Sequence, residues 1–304
     1  MRFYFAPLEG ITGYLYRNIH HEIFGGIDKY FTPFVSPTSS FNFKSREKRD
    51  VLPENNEGTP VVPQILTNHA DEFLYTAQCL AEYGYTEINL NLGCPSGTVV
   101  PKGRGAGFLG KTEELEEFLE ELYEKAPAPI SIKTRIGMYG PDEFEELMEI
   151  YNKFPIHELT IHPRVRQDFY KNTPNLEVFG NALKVSKNPI CYNGDINTVE
   201  DYKIFTERFP EVKQIMIGRG LLRNPALIRE ITTGEELRWE EATAFADRLL
   251  DEYKKIMSDT PVLFKMKEIW SYMSQSHPDR EKVWKKIRKS KKLSDYENVM
   301  KMIR

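Results

Sequence analysis

Asn91, Lys133 and His162 stand at the C-terminal ends of short β-rich runs, and Cys94 comes three positions after Asn91. Together they offer a carboxamide, an ammonium, an imidazole and a thiol. A thiol of ordinary pKa, about 8.5, is protonated at neutral pH yet acidic enough to give its proton away. A buried ammonium stabilises negative charge that develops beside it. Two further strand ends carry Asn193-Gly194-Asp195 and Gly218-Arg219. Their glycines let backbone N–H groups approach an anion, and Arg219 can add charge-assisted bonds, which is the chemistry of a phosphate site. The competing reading of either loop alone is an ordinary glycine turn, and of a single strand-end histidine a satisfied structural residue.

These groups need a scaffold that brings strand ends together. The sequence predicts strands at Arg2–Ala6, Lys29–Phe34, Val61–Leu66, Glu87–Leu92, Ile130–Arg135, Glu158–His162, Pro189–Asn193 and Gln214–Gly218. Most connections are long enough for crossover helices, as parallel pairing requires. From Thr112 to Lys125, Leu115, Phe118, Leu119 and Leu122 form one apolar stripe behind an acidic first turn. Thr198-Val199-Glu200-Asp201 has the form of a capping box. The expected fold is α/β: a (β/α)8 TIM barrel over residues 1–235, followed by a smaller helical domain over 240–304. Alternation sets the faces. Ile88, Leu90 and Leu92 oppose Asn89 and Asn91; Ile130 and Ile132 oppose Ser131, Lys133 and Arg135; Leu159 and Ile161 oppose Thr160 and His162. Barrel strands turn their apolar face to the helices, so Asn91, Lys133 and His162 point to the axis, where a structural polar network is the competing reading.

The 304 residues suffice for a full core, and 40% hydrophobic with 28% charged content indicates a globular chain. No apolar run reaches the roughly 18 residues that span a bilayer, and Met1–Pro7 lacks a signal-peptide pattern, so a cytoplasmic location is expected. Cys79, Cys94 and Cys191 have no paired spacing, which argues against disulfides and a cysteine-based metal site. Net charge is −4, but Lys282–Arg304 holds nine basic and two acidic residues, leaving 32 basic and 43 acidic elsewhere. An acidic body with a basic appendage suits a polyanionic partner; a solvated lysine-rich helix is the plainer alternative.

In order along the chain, Ala6-Pro7-Leu8-Glu9-Gly10, Gln64, Asn89–Ser96 with its Gly93-Cys94-Pro95, Lys102–Gly107, Lys133–Gly137, Thr160-Ile161-His162, Asn193–Ile196 and Ile217–Gly220 resemble the tRNA-dihydrouridine synthase family. The resemblance covers residues 1 to 230 closely and Phe264–Trp270 more loosely. It implies FMN, with Pro7, Leu8, Glu9 and Gln64 against the ring and Lys133 at its pyrimidine edge. His162 would lie beside Lys133. Asn193, Gly194, Asp195, Gly218 and Arg219 would take the phosphate, with Arg164 in reach. Hydride from flavin N5 to uracil C6 leaves negative charge on C5 and O4, and the resemblance makes Cys94 the proton donor to C5. Asn91 would hold the uracil edge, and Lys102–Gly107 would form a mobile cover. The partner is tRNA, whose target base must leave its stack. Lys265, Lys267, Lys285, Lys286 and Lys289 are the candidate phosphate contacts. NADPH is the implied reductant, and no metal is implied. Leu92 stands where many relatives carry a second cysteine, and His162-Pro163-Arg164-Val165 departs from a common His-Gly-Arg-Thr.

Two other readings compete. A different FMN barrel, of the dihydroorotate dehydrogenase or ene-reductase type, explains the flavin site but leaves the basic appendage idle. A non-catalytic RNA-binding protein explains the appendage but leaves Asn91, Cys94, Lys133 and His162 without a task.

Overall fold

A computed structural model describes residues 1–37 and 43–303. Among the described residues the strands are β1 (Arg2–Phe5), β2 (Lys29–Phe31), β3 (Val61–Val62), β4 (Gln64–Ile65), β5 (Ile88–Leu92), β6 (Ile130–Arg135), β7 (Leu159–His162), β8 (Ile190–Asn193) and β9 (Gln214–Ile217). All pair in parallel, in the order β3-β2-β1-β9-β8-β7-β6-β5-β4. The two ends of that order are consecutive in sequence, so the segment Val61–Ile65 closes the ring. Tyr30 pairs with Val61 on one side, and Gln64 pairs with Asn89 on the other. The expected TIM barrel is therefore present, with one difference: its third strand is divided at Pro63. Proline has no N–H to give to a ladder; Val61 and Val62 pair with β2, whereas Gln64 and Ile65 pair with β5 and Val35 bridges to Ile65 from the other side.

Alternation works as the sequence predicts. Phe3, Phe5, Ile88, Leu90, Leu92, Ile130, Ile132, Leu159, Ile161, Ile215 and Ile217 join the large core between strands and helices. Tyr4, Ala6, Phe31, Val62, Cys191 and Met216 form a separate cluster, the apolar part of the barrel interior. Cys191 is thus a small buried hydrophobe, whereas Cys79 is only half-buried, beside Tyr75. Below that cluster the interior ends in charge. Tyr4 donates to Glu158 at 2.9 Å, and Lys29 reaches Glu87 at 2.6 Å.

The helix Thr112–Lys125 buries Leu115, Phe118, Leu119 and Leu122 against the barrel. Each such burial contributes about 1.5–3 kcal/mol. Thr198 and Asp201 exchange the two bonds of a capping box, at 3.1 and 3.0 Å. After residue 238 come the helices Trp239–Ile256, Asp259–Met273, Arg280–Lys289 and Leu293–Ile303. The first returns to the barrel, where Phe245 packs edge-on against Tyr16 and Phe24 at 5.3 Å each. Trp270, fully buried, donates to the Tyr296 hydroxyl at 2.8 Å and holds the later helices together. No helix among the described residues is long and apolar enough to cross a membrane.

Candidate active site

The C-terminal strand ends surround a cavity of about 900 Å³. β5 and β6 supply its polar floor, because every second side chain on them faces the axis. A chain of carboxamides runs along it. Asn89 donates to Ser131 Oγ at 2.9 Å, Gln64 to Asn89 Oδ1 at 2.7 Å, and Asn91 to Gln64 Oε1 at 2.7 Å. Asn91 Oδ1 then accepts the backbone N–H groups of Gly93 and Cys94, at 3.0 and 2.9 Å. Asn91 therefore fixes the turn that presents Cys94, and one of its amide hydrogens is left for a ligand. Burial pushes the Cys94 thiol up, against the lowering effects of the Ser96 backbone and Arg135. It is held as a protonated thiol.

Lys133 lies beside it on β6. Burial, aided by the like charge of Arg135, pushes its ammonium down to about 8. Arg135 itself is fully buried and spans three carbonyls, Gly93 at 2.9 Å, Val165 at 3.0 Å and Phe169 at 2.7 Å. It joins the loop after β5 to the loop after β7. That second loop bends at Pro163, where the Arg164 N–H donates to the His162 carbonyl at 2.7 Å. Such a two-residue return suits the fixed φ of proline. The departure at Pro163 thus folds Arg164 back, so that its guanidinium meets His162 Nε2 at 3.0 Å and Asp195 Oδ1 at 3.0 Å. Burial, and then the cations Arg135, Lys133 and Arg164, pushes His162 well below the usual imidazole range. It is neutral, with Nε2 accepting from Arg164.

Arg219 reaches the same Asp195 carboxylate at 2.5 Å. Burial opposes the charge on Asp195, but hydrogen bonds and charge from Arg164 and Arg219 outweigh it and hold the carboxyl below its usual range. Two guanidinium groups around one carboxylate leave this corner positive. Asn193 donates to the Met216 carbonyl at 2.8 Å and ties the loops after β8 and β9 together. Gly218 sits at the opening of the short helix Arg219–Arg223 and packs beside Ala6 and Leu8.

Pro7, Leu8, Glu9, Gln64, Asn91, Cys94, Lys133, His162, Asn193, Gly194, Asp195, Gly218 and Arg219 all line this one cavity. Glu9 does so at the rim, paired with Arg46. The five C-terminal lysines do not. Lys265 donates to the Gly10 carbonyl at 2.7 Å and lies over the Tyr253 ring, and Lys267 donates to the Ser290 carbonyl. Both residues are half-buried, each with its ammonium on a backbone carbonyl of the fold. Lys285 and Lys289 are exposed and Lys286 half-buried, on the helix that buries Val283 and Ile287.

Sequence reasoning passed over several lining residues. Phe169 and Tyr170 stand half-exposed at the mouth, with Tyr170 beneath Arg219 at 4.8 Å. Phe169 has a φ of 51°, a strained value for a bulky residue. Only the aromatic pair after a strand end could have signalled them. Glu268 and Tyr272 come from the helix Asp259–Met273, so the C-terminal helices complete the cavity wall. Their helical spacing of four is visible in sequence, but the docking that aims them is not. Among the described residues no cluster of His, Cys, Asp and Glu could hold a metal ion.

Comparison with known proteins bears on this geometry. The dihydrouridine synthase (Dus) family model matches residues 4–302. The tRNA-dihydrouridine(16) synthase of Pseudomonas putida is 27% identical over 303 residues, covering 95% of this chain and 93% of that protein. A probable tRNA-dihydrouridine synthase of Staphylococcus aureus is 29% identical over 231 residues, 73% of this chain and 69% of its own. A solved structure of morphinone reductase superposes with a TM-score of 0.55 at 10% identity, over 80% of this chain and 88% of that one, and shares the barrel. The match spans barrel and C-terminal helices together, and the chain belongs to the dihydrouridine synthase family of flavin-dependent oxidoreductases.

Proposed function

We propose that this chain reduces the C5–C6 bond of a uridine in tRNA to 5,6-dihydrouridine, using FMN held in the strand-end cavity and NADPH as reductant. One observation carries the reading: a thiol, an ammonium and a committed carboxamide meet two glycine loops and a positive corner in a single cavity of about 900 Å³. That volume is at the upper end for small-molecule sites, enough for a cofactor and an inserted base.

The residues fit FMN. Arg164 and Arg219 share one carboxylate, so the corner keeps positive charge for a phosphate, and glycine at 194 and 218 lets the backbone pass where a Cβ would meet the Tyr192 ring or Ala6. Asn193 and Asp195 frame the same corner, while Pro7, Leu8, Glu9 and Gln64 would border the ring. FMN, when bound, supplies a hydride. Lys133, largely cationic at neutral pH, stabilises the negative charge that accompanies reduction. Cys94, protonated because burial raises its pKa, gives the proton to C5. Asn91 orients Cys94 through its oxygen and offers its remaining amide hydrogen to the base. Neutral His162 holds Arg164 toward Asp195.

Residues 1–235 form the catalytic barrel in this reading, and residues 240–304 the part that meets tRNA. Lys285, Lys286 and Lys289 contact phosphates, whereas Lys265 and Lys267 act by fixing the helix Asp259–Met273. Phosphate contacts of this kind position the substrate without reading its sequence.

The test is mass spectrometry of unmodified tRNA incubated with the protein, FMN and NADPH, beside a Cys94→Ala control. Dihydrouridine formed by the wild type and almost none by the variant, with flavin and tRNA binding kept, is the expected result. Because the Pseudomonas putida relative is named for position 16, that uridine is the first to map. NADPH oxidation with every uridine left intact would favour a small-molecule reductase, and wild-type turnover by Cys94→Ala would remove the thiol from the mechanism.

A further inference from the structure

Cys94 is gripped from two sides. Asn91 Oδ1 takes its N–H, and its carbonyl accepts the N–H of Ala106 at 3.0 Å. The second grip comes from a loop with unusual freedom, since Gly103 and Gly105 have φ values of 66° and 56°. A Cβ at Gly105 would lie 2.8 Å from the Cys94 carbonyl oxygen and 3.0 Å from its Cβ, so only glycine allows backbone to pack this closely on the thiol residue.

The residue between these glycines is Arg104. Its Nε donates to Asn68 Oδ1 at 3.1 Å and a terminal nitrogen to Glu72 Oε2 at 3.0 Å. Glu72 stands in the first turn of the helix Ala70–Glu82 and also accepts the Thr67 hydroxyl at 2.5 Å. Its side chain is 9% exposed and that of Arg104 19%, so the pair is well shielded from water. Two left-handed glycines contribute no stiffness; Ala106 and Phe108 bury into the core and Asn68 Nδ2 donates to the Lys102 carbonyl at 3.3 Å, while Arg104 between the glycines supplies the charged anchor. A planar fork across two acceptors is a task for arginine more than lysine.

We propose that Arg104 and Glu72 form a latch that clamps the Gly103–Gly107 loop onto Cys94 and so sets the direction of its thiol. Both are positioning residues, acting through Gly105 and Ala106. Their effect on turnover rests on the reading of Cys94 as proton donor; their effect on the loop does not.

The experiment uses the flavin-loaded protein and compares wild type, Arg104→Met, Glu72→Gln and the exchanged pair Arg104→Glu/Glu72→Arg. Iodoacetamide alkylation of the Cys94 peptide is followed by mass spectrometry, alongside kcat and KM for tRNA. Both single variants should alkylate several-fold faster, lose kcat by roughly tenfold and keep KM, because small misplacements of a reacting group act on kcat. The exchanged pair should recover part of both losses. Faster alkylation with unchanged kcat supports the latch and counts against Cys94 as donor. Unchanged or slower alkylation in both single variants overturns the latch. If Arg104→Met does not fold, as judged by its melting curve, Arg104→Lys gives the same comparison with charge kept and the fork removed.

Discussion

Replacing Lys133 by methionine should make the flavin-free protein more stable while lowering the turnover of the flavin-loaded enzyme. The ammonium is held at about 8 against an ordinary value of about 10.5, and burial is the main cause. At 1.36 kcal/mol per tenfold change in proton affinity, that gap corresponds to a charging cost of at most about 3 kcal/mol. The sign follows from which state keeps the proton. At pH 7 the lysine is charged in folded and unfolded chains alike, and the folded state bears the full cost. Between about 8 and 10.5 the folded chain releases its proton while the unfolded chain retains it, so wild-type stability rises with pH. Above that range the cost is gone. Urea denaturation of both proteins at neutral pH and near pH 10 is the assay. The variant should gain up to about 3 kcal/mol at neutral pH, and most of this advantage should vanish at the higher pH. Turnover should fall by about 10²-fold or more, as for other preorganised electrostatic groups. A variant less stable than wild type at neutral pH, or an advantage independent of pH, would refute the argument.

Neutralising Lys285, Lys286, Lys289 and Lys292 together should weaken tRNA binding and reduce the slope of log affinity against log salt by about one for each phosphate no longer neutralised; an unchanged slope makes the cluster bystander charge. At the opposite end of the barrel, Lys29→Met should destabilise the fold by about 3 kcal/mol, because Glu87 loses its 2.6 Å partner while remaining buried. Chemical denaturation reads this directly, and the double variant Lys29→Met/Glu87→Leu should recover much of the loss. Affinity for FMN should decline as pH rises past about 8, when Lys133 loses its charge; titration by flavin fluorescence quenching would show a flat profile if Lys133 lies away from the ring.

The sequence made the barrel legible because strand alternation is a local property. Asn89 and Asn91 against Ile88 and Leu90 give both face and direction without knowledge of any partner. The convergence of strand-end residues follows from the same pattern. What stayed hidden depends on contacts between distant segments. Nothing local shows that Lys265 would reach the Gly10 carbonyl, 255 positions away, rather than solvent. The commitment of Asn91 Oδ1 to Gly93 and Cys94 depends on a turn whose shape Arg135 fixes from the next strand. Pro63 was visible, but a proline inside a β-rich run marks a break only when the partners on both sides are known. Glu72 and Arg104 are 32 positions apart, and their pairing comes from the helix that follows β4.

The seam between β1 and β9 also matters for how this chain is made. Arg2 pairs with Gln214, so the first strand lacks one of its neighbours until more than two hundred further residues have been added. At ribosomal rates of about 5–20 residues per second, this interval lasts roughly 10–40 s. Throughout it, β1 and the newest strand each present an unpaired edge, the feature that recruits foreign strands. A message cut short before residue 214 would yield a product with both edges permanently open. Such a fragment is a substrate for chaperones and proteases rather than a smaller enzyme.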